Sequence, residues 1–181
     1  MSEGDDTLTG SGGIDRFFGG AGNDTFVLTS TDINNLYSNT VQSDGFKAEV
    51  FGGTGIDTIR LSGGASLDLT QIANTFVGDN ARASSKISSI EKIDLATDTS
   101  ANTVTLALKD VVDMAGFNLF NMGGTTVQQH QLLVNGGAND TIDFAVLSDW
   151  TNTGAVEPHN PTRGGSIPHG YGSGIGCNGL G

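Results

Sequence analysis

Four aspartates of this chain share one local context, a glycine-rich turn followed by a short apolar segment. Residues 1–27 divide into three consecutive blocks of nine, MSEGDDTLT, GSGGIDRFF and GGAGNDTFV, and the block GGTGIDTIR at 52–60 repeats the pattern. The sixth position of each block is an aspartate, and the eighth is a large apolar residue. The aspartates are Asp6, Asp15, Asp24 and Asp57, and the apolar residues are Leu8, Phe17, Phe26 and Ile59. Carboxylates repeated beside flexible turns are suited to binding a hard cation.

The nine-residue period predicts how the blocks stack. Glycines allow each six-residue turn backbone angles that are closed to other residues, and the remaining three residues form a strand. One coil takes two blocks, so Asp6 and Asp24 are expected on the same side, one strand spacing of roughly 4.8 Å apart. Two carboxylates about 5 Å apart repel by on the order of 3 kcal/mol at an effective dielectric of about 20. A cation between the two carboxylates would make their net interaction energy favourable.

Calcium suits such a site better than magnesium. Ca²⁺ takes six to eight oxygens at about 2.3–2.6 Å in a loose geometry, whereas Mg²⁺ prefers a tight octahedron and retains its water. Two aspartate side chains and four turn carbonyls would meet the demand of Ca²⁺. The alternative is a flexible Gly/Asp linker that binds no metal. Three blocks in unbroken phase and a fourth farther along favour the ordered, calcium-binding interpretation, with several ions.

Composition indicates a turn-dense β protein. The chain has 28 glycines in 181 residues, and only 15% of its residues are charged, both unlike a helical bundle.

Its net charge of −12 would repel nucleic acid and anionic membranes, so neither is expected as a partner. No apolar run near 18 residues and no N-terminal signal peptide is present, and we expect no membrane insertion. The single cysteine, Cys177, excludes an internal disulfide framework. We expect a monomer.

The remaining sequence predicts a single β domain over residues 1–150. Residues 28–51 break the phase and are expected as an inserted excursion, held down by Tyr37 and Phe46. Period-two patterning then predicts strands over 66–70, 87–95 and 102–108.

A short capping helix is predicted after these strands. Leu108, Val111, Val112 and Ala115 follow helical spacing, with Gly116 as a stop. Residues 117–131 and Trp150 are expected to cover the core. HQLLVNGGANDTIDF at 130–144 returns to the repeat in degenerate form, which makes Asp140 a candidate ligand. Residues 151–181 contain all three prolines and no periodicity, and they predict a disordered tail.

The blocks at 1–27 and 52–60 resemble the calcium-binding nonapeptides of the repeats-in-toxin (RTX) family. The resemblance implies an all-β fold, a right-handed parallel β-roll or β-solenoid with calcium between its coils. It also implies that the carbonyls at the second and fourth turn positions, those of Gly20, Gly22, Gly53 and Gly55, bind calcium with the aspartates. More loosely, residues 61–150 resemble the region near the C-terminus of large RTX adhesins.

From this resemblance we expect a calcium-binding segment of a secreted or cell-surface bacterial adhesin. It would fold on Ca²⁺ after export by the type I secretion machinery. Residues 157–181 do not look like the C-terminal secretion signal of that family. The alternative is a non-catalytic, calcium-binding module of a secreted protease, lipase or polysaccharide epimerase.

No catalytic constellation emerges from the sequence, so we do not expect an enzyme. Neither H-E-x-x-H nor G-x-S-x-G is present. His130 is isolated and expected to face solvent, and His159 and His169 lie in the tail with no ligand partners at zinc spacing. Asp94, Asp110 and Asp113 are interpreted as strand-end and helix-face charges.

Residues 28–51 leave two registers open for the fourth block. If they bulge out without adding a coil, block 52–60 lies over the second block, and Asp15 and Asp57 share a second calcium. We expect this arrangement because Phe17 and Ile59 would then stack. Alternatively, AEVF at 48–51 forms an extra strand, which places Asp57 on the Asp24 side and leaves Asp15 with one carboxylate fewer.

Overall fold

Short parallel strands separated by tight turns form nearly all of the regular structure. The computed structural model describes residues 2–38, 42–43, 45–72, 74, 85–116 and 130–149. The strands in these ranges are β1 (Ser2–Glu3), β2 (Thr7–Thr9), β3 (Arg16–Ala21), β4 (Thr25–Leu28), β5 (Glu49–Thr54), β6 (Thr58–Leu61), β7 (Ser66–Asp68), β8 (Ile87–Ser88), β9 (Lys92–Asp94), β10 (Thr103–Leu106), β11 (Leu133–Asn135) and β12 (Thr141–Phe144). The helices are α1 (Ser30–Tyr37) and α2 (Leu108–Met114), with 3₁₀ turns at Leu69–Gln71 and Leu147–Asp149.

The strands form three sheets whose pairings are all parallel. The first sheet has the order β1-β3-β5-β8, and the second has the order β11-β9-β6-β4-β2. The third has the order β12-β10-β7. From β1 to β6 the chain alternates between the first two sheets, and β7 begins the third. The all-β prediction is therefore confirmed, and the parallel pairing fits the predicted β-roll.

The apolar eighth position of each block faces the core and stacks on its counterparts. In the second sheet Leu8 pairs with Phe26, Phe26 with Ile59, and Ile59 with Ile93. Phe26, Ile59 and Ile93 are fully buried. Truncating such a side chain costs about 2–5 kcal/mol in folding free energy. This column explains why the eighth position is apolar throughout.

The expected register of the fourth block is wrong, and the alternative is correct. Phe17 pairs with Val50, so AEVF contributes to a strand over the second block. Ile59 instead pairs with Phe26, which places Asp57 over Asp24. The physical reason is that Ala48 and Val50, 4% and 1% exposed, supply the apolar positions that this side of the core needs. Asp15 and Asp57 therefore do not share a site.

Helix α1 fills the segment predicted as an irregular excursion. Thr29 and Asp32 form a reciprocal capping box at its N-terminus, and Ile33 and Leu36 are 2% exposed. Tyr37 anchors the helix as expected, because its hydroxyl accepts a hydrogen bond from the Asp68 N–H at 2.6 Å. The guanidinium of Arg16 lies 3.9 Å from the ring centre of Phe46.

Helix α2 confirms the predicted capping helix in position but not in its apolar face. Val111 and Ala115 are buried, whereas Val112 is 38% exposed and Met114 takes its place in the core. No helix in the described ranges has the length and apolar character needed to cross a membrane. The predictions for 117–129, Trp150 and the tail at 151–181 fall outside the described residues.

Candidate metal centre

Three turns of the repeat segment lie one above another and are linked by their acidic side chains. Oδ1 of Asp24 accepts a hydrogen bond from the backbone N–H of Asp6 at 2.9 Å. In the same way, Oδ1 of Asp57 accepts from the N–H of Asp24 at 2.8 Å. The expectation that Asp6 and Asp24 meet across one strand spacing is therefore confirmed. Each of these two carboxylates thus caps the turn that precedes its own turn in the stack.

Glu91 extends this series and was missed by the sequence reasoning. Its Oε2 accepts from the N–H of Asp57 at 2.8 Å, and the residue is only 3% exposed. We call Asp6, Asp24, Asp57 and Glu91 the carboxylate ladder. A signal was present in the sequence, because Glu91 stands two residues before the apolar Ile93 just as Asp57 stands before Ile59. The missing glycines before it concealed the relation.

The ladder contains buried carboxylate oxygens that lack a partner. Asp24 and Asp57 are 0% exposed, and Oδ2 of each has no hydrogen-bond partner. A buried charge is unfavourable unless it is paired or coordinates a metal. The ladder residues thus form an incomplete electrostatic arrangement that a cation would complete.

The acidity of the ladder shows the same deficit of positive charge. Burial raises the pKa of the Asp57 carboxyl to about 6, and the neighbouring Asp24 carboxylate adds to the increase. Burial also raises the pKa of Glu91 to about 7, with a further contribution from Asp57. Burial and the neighbouring carboxylates therefore disfavour the charged form of both groups.

The glycine carbonyls that the resemblance implied as ligands lie between successive turns. A Cβ on Gly53 would overlap the carbonyl oxygen of Gly20, and a Cβ on Gly55 would overlap that of Gly22. Gly53 and Gly55 also have φ angles of +113° and +134°, which favour glycine. The Gly20 and Gly22 oxygens therefore point into the turn of the next strand pair. Whether they bind an ion remains a prediction.

Two further predicted ligands lie away from the ladder. Asp15 occupies the turn at the opposite end of these strands, where the residue aligned with it in the next strand is Ala48. Asp140 lies beside the third sheet, where its Oδ1 accepts from the N–H of Asn102 at 2.9 Å and its Oδ2 from the N–H of Gly137 at 2.7 Å. Each Asp140 oxygen caps a turn and neither is orphaned, and the role of Asp140 as a metal ligand stays a prediction.

Asn102 links the turns of the third sheet without any charge. Its Oδ1 accepts from the N–H groups of Gly64 and Ala65 at 3.1 and 3.0 Å, and its Nδ2 donates to the carbonyl of Leu95 at 3.0 Å. The side chain is fully buried. This amide performs the turn-capping role of Asp24 and Asp57 without an orphaned oxygen, and the exposed Asp98 carboxylate caps the same turn by accepting from the Gly63 N–H at 2.7 Å.

The donor set fits calcium when backbone oxygens are included. Within the described ranges no group of three or more His, Cys, Asp or Glu side chains surrounds a common point. An ion at the ladder would thus depend on carbonyls in addition to the Asp24 and Asp57 carboxylates. Such a mixed, oxygen-only set is the kind that Ca²⁺ uses.

The acids considered for catalysis have separate structural partners. Asp94 lies 3.6 Å from the Arg60 guanidinium, Asp110 caps helix α2 through the N–H of Ala107 at 2.8 Å, and Asp113 pairs with Lys109. His130 was expected to face solvent, but it is half-buried and its Nδ1 lies 2.8 Å from the Ala115 carbonyl.

Comparison with known proteins covers the first part of the ladder, which contains Asp6 and Asp24. Residues 2–30 match the family model of the RTX calcium-binding nonapeptide repeat, in four copies. This segment of the chain therefore carries RTX repeats, as the nine-residue blocks predicted. No curated protein and no solved structure gives a significant match. The family is typical of secreted bacterial proteins, and its repeats imply Ca²⁺ as the metal.

Proposed function

We propose that this chain is a calcium-binding structural module of a secreted protein and that it folds when it binds Ca²⁺. The observation that supports this most directly is the pair of fully buried carboxylates, Asp24 and Asp57, each with an orphaned oxygen. In calcium-free cytoplasm these charges would oppose folding. At extracellular calcium they would bind it, and the binding free energy would add to the free energy of folding.

The proposed architecture is a right-handed β-roll that continues as a wider solenoid over residues 1–150. It is supported by the unbroken parallel pairing from β2 through β11 in the second sheet. In this proposal the insertion predicted at 28–51 is shorter, because Leu28 ends β4 and Glu49 begins β5, and it contains helix α1. Asp6, Asp24 and Asp57 with Gly20, Gly22, Gly53 and Gly55 supply ligands to the ions.

We further propose that the parent protein is an adhesin exported by the type I machinery. The support is the extent of structure after the repeats, where the parallel strands continue from β7 to β12. The second support is the loose resemblance of residues 61–150 to the region near the C-terminus of RTX adhesins. A catalytic signature in sequence preceding the segment would instead favour an accessory module of a secreted enzyme.

Calcium titration of the full chain tests the proposed function. Circular dichroism should show more β structure and a higher melting temperature in millimolar CaCl₂ than in EDTA, with a partial loss of β structure in EDTA that MgCl₂ at the same concentration does little to restore. Asp24→Asn should weaken calcium binding at least about tenfold, whereas Asp143→Asn, which removes an exposed carboxylate, should not. Spectra and thermal stability that are identical in calcium and EDTA would refute the proposal.

A further inference from the structure

A second pair of acidic side chains meets at the end of the strands opposite the carboxylate ladder. Asp15 lies in the turn between β2 and β3, and Asp32 lies in the first turn of helix α1. Both surround Gly10: Asp15 Oδ2 is 2.8 Å and Asp32 Cγ is 2.9 Å from the position that a Cβ on Gly10 would take, and Asp32 Oδ1 is closer still. The two carboxylates therefore face the same small space.

Asp32 carries an unsatisfied charge into this space. The residue is 3% exposed, and its Oδ1 is buried without a hydrogen-bond partner. Its other oxygen, Oδ2, caps helix α1 by accepting from the N–H of Thr29 at 2.8 Å and from the Thr29 hydroxyl at 2.6 Å. The helix cap thus fixes the carboxylate so that Oδ1 lies against Gly10, which Asp15 Oδ2 also borders.

Asp15 presents the opposing carboxylate. Its Oδ2 accepts from the N–H of Ser11 at 3.1 Å and its Oδ1 accepts from the Ser11 hydroxyl at 3.4 Å. Each oxygen of this half-buried carboxylate retains a lone pair for a further ligand. In the described part of the chain, neither Asp15 nor Asp32 forms a salt bridge with a lysine or arginine. Two neighbouring carboxylates, one of them buried and half unpartnered, leave a position for a cation.

The surrounding contacts hold the turn against the helix. Asn35 of α1 donates from its Nδ2 to the carbonyl of Gly13 at 2.5 Å, and Gln42 donates from its Nε2 to the carbonyl of Ile14 at 2.7 Å. These amides fix the turn that carries Asp15 relative to the helix that carries Asp32. The separation of the two carboxylates is thereby set before any ion arrives, as a binding site requires.

We propose that Asp15 and Asp32 form a second calcium site, in which a helix-capping aspartate takes the place of a repeat aspartate. This inference rests on the proposed calcium-dependent function and adds a site that the nine-residue pattern does not contain. Ca²⁺ would bind the free Asp32 Oδ1 and the Asp15 carboxylate, and water would complete its shell. Binding would join the inserted helix to the first repeats.

Asp32→Asn tests the site with little disturbance of the helix. An asparagine Oδ1 can still accept from Thr29, and its Nδ2 can donate to Asp15, so the variant should fold and should be at least as stable as wild type in EDTA. Calcium stoichiometry, measured by equilibrium dialysis and calorimetry with CaCl₂ alone, should fall by about one ion. Asp143→Asn should leave the stoichiometry unchanged.

Asp15→Asn provides a second, independent variant. It should lose the same ion, and the double variant Asp15→Asn/Asp32→Asn should lose no more than either single variant. Unchanged stoichiometry and affinity in both single variants, while wild type binds calcium, would overturn this inference alone. A wild-type chain that binds no calcium would refute the proposed function and the inference together.

Discussion

Asp57 performs two separable tasks with its two carboxylate oxygens. Oδ1 caps the turn that contains Asp24, accepting at 2.8 Å, while Oδ2 is buried and unpartnered. The first task needs an acceptor only, and an amide would serve as well. The second needs negative charge and a metal. Substitutions can therefore separate turn capping from ion binding at one residue.

Asp57→Asn should remove ion binding and retain the cap. We expect calcium affinity to fall at least about tenfold, or about 1.4 kcal/mol, and the stability in EDTA to stay equal or rise. Asp57→Ala should also leave the Asp24 N–H unsatisfied and so lose about 1–3 kcal/mol in EDTA. Calorimetry and thermal denaturation distinguish them. Equal loss of stability in EDTA for the two variants would contradict this division of roles.

Glu91 should make the calcium-free protein more stable in mild acid. Its pKa is raised from 4.5 to about 7, so the folded chain holds the proton more tightly than the unfolded chain. This contribution is complete below about pH 4.5 and is lost as the pH rises through about 7. In EDTA, the melting temperature should therefore decrease from pH 5 to pH 8.

Glu91→Gln supplies the control for that dependence. The glutamine Oε1 can still accept from Asp57, and the variant should show a flatter profile in EDTA over the same range, with a remainder from Asp57, whose pKa is raised to about 6. In calcium the trend should reverse, because the ion binds the deprotonated carboxylate. A wild-type melting temperature in EDTA that rises from pH 5 to pH 8 would contradict the prediction.

At the level of the strands and turns, glycine sets how closely neighbouring turns approach. A Cβ on Gly52 would overlap the backbone carbonyl of Ser89 and the Asp57 carboxylate, whereas a Cβ on Gly13 would meet nothing within 4 Å. Neither residue has a positive φ. The pair therefore isolates steric space from backbone conformation.

Gly52→Ala should destabilise the protein by at least about 2 kcal/mol, because a backbone oxygen cannot move aside as a side chain can. Gly13→Ala should change stability by less than about 0.5 kcal/mol in either direction, as surface substitutions do. Urea denaturation in calcium measures both. Similar midpoints for the two variants would show that the turns are looser than the structure indicates.

The sequence predicted the repeat strands because turn and strand chemistry recur every nine residues. The stacking of Leu8, Phe26 and Ile59 follows from their shared eighth position. Helix α1 escaped prediction because its first turn depends on a capping box of Thr29 and Asp32, and its apolar residues Ile33 and Leu36 are too few to mark a period.

The ligands proved harder to predict than the strands. The register after the insertion depends on which segment fills the core beside Phe17, and Val50 does so with a buried side chain. Which segment fills this position is decided by tertiary packing, and no local sequence pattern indicates it. Glu91 was missed because no glycines precede it, although its spacing from Ile93 matches that of Asp57 from Ile59. Asp32, a ligand only in our proposal, was missed because it stands in a helix. Their roles depend on distant neighbours, because Glu91 accepts from Asp57, 34 residues away, and the proposed partner of Asp32 is Asp15, 17 residues away.

For the whole molecule, dependence on calcium should be uneven. Of the turns at 4–6, 22–24 and 55–57, the second and third contain the buried carboxylates of Asp24 and Asp57, each with an unpartnered oxygen, and the first donates a backbone hydrogen bond to Asp24. In contrast, Asn102 caps the turn at 63–65 with a neutral amide. Amide hydrogen exchange should therefore slow more on adding calcium at the first three turns than at 63–65 and 102–106. Uniform protection along the chain would instead indicate one cooperative unit.

The hydrogen bonds of the carboxylate ladder depend on which strands are neighbours in space, and their geometry does not change with the number of residues between the bonded positions. Its successive hydrogen bonds join residues 18, 33 and 34 positions apart, yet their lengths of 2.9, 2.8 and 2.8 Å are nearly the same. Residues can thus be inserted between one ladder residue and the next, provided that the following strand keeps its pairing in the sheet. The insertion at residues 29–47, which lies between β4 and β5, has already used this freedom, and a foreign loop could be grafted there without disturbing the repeats.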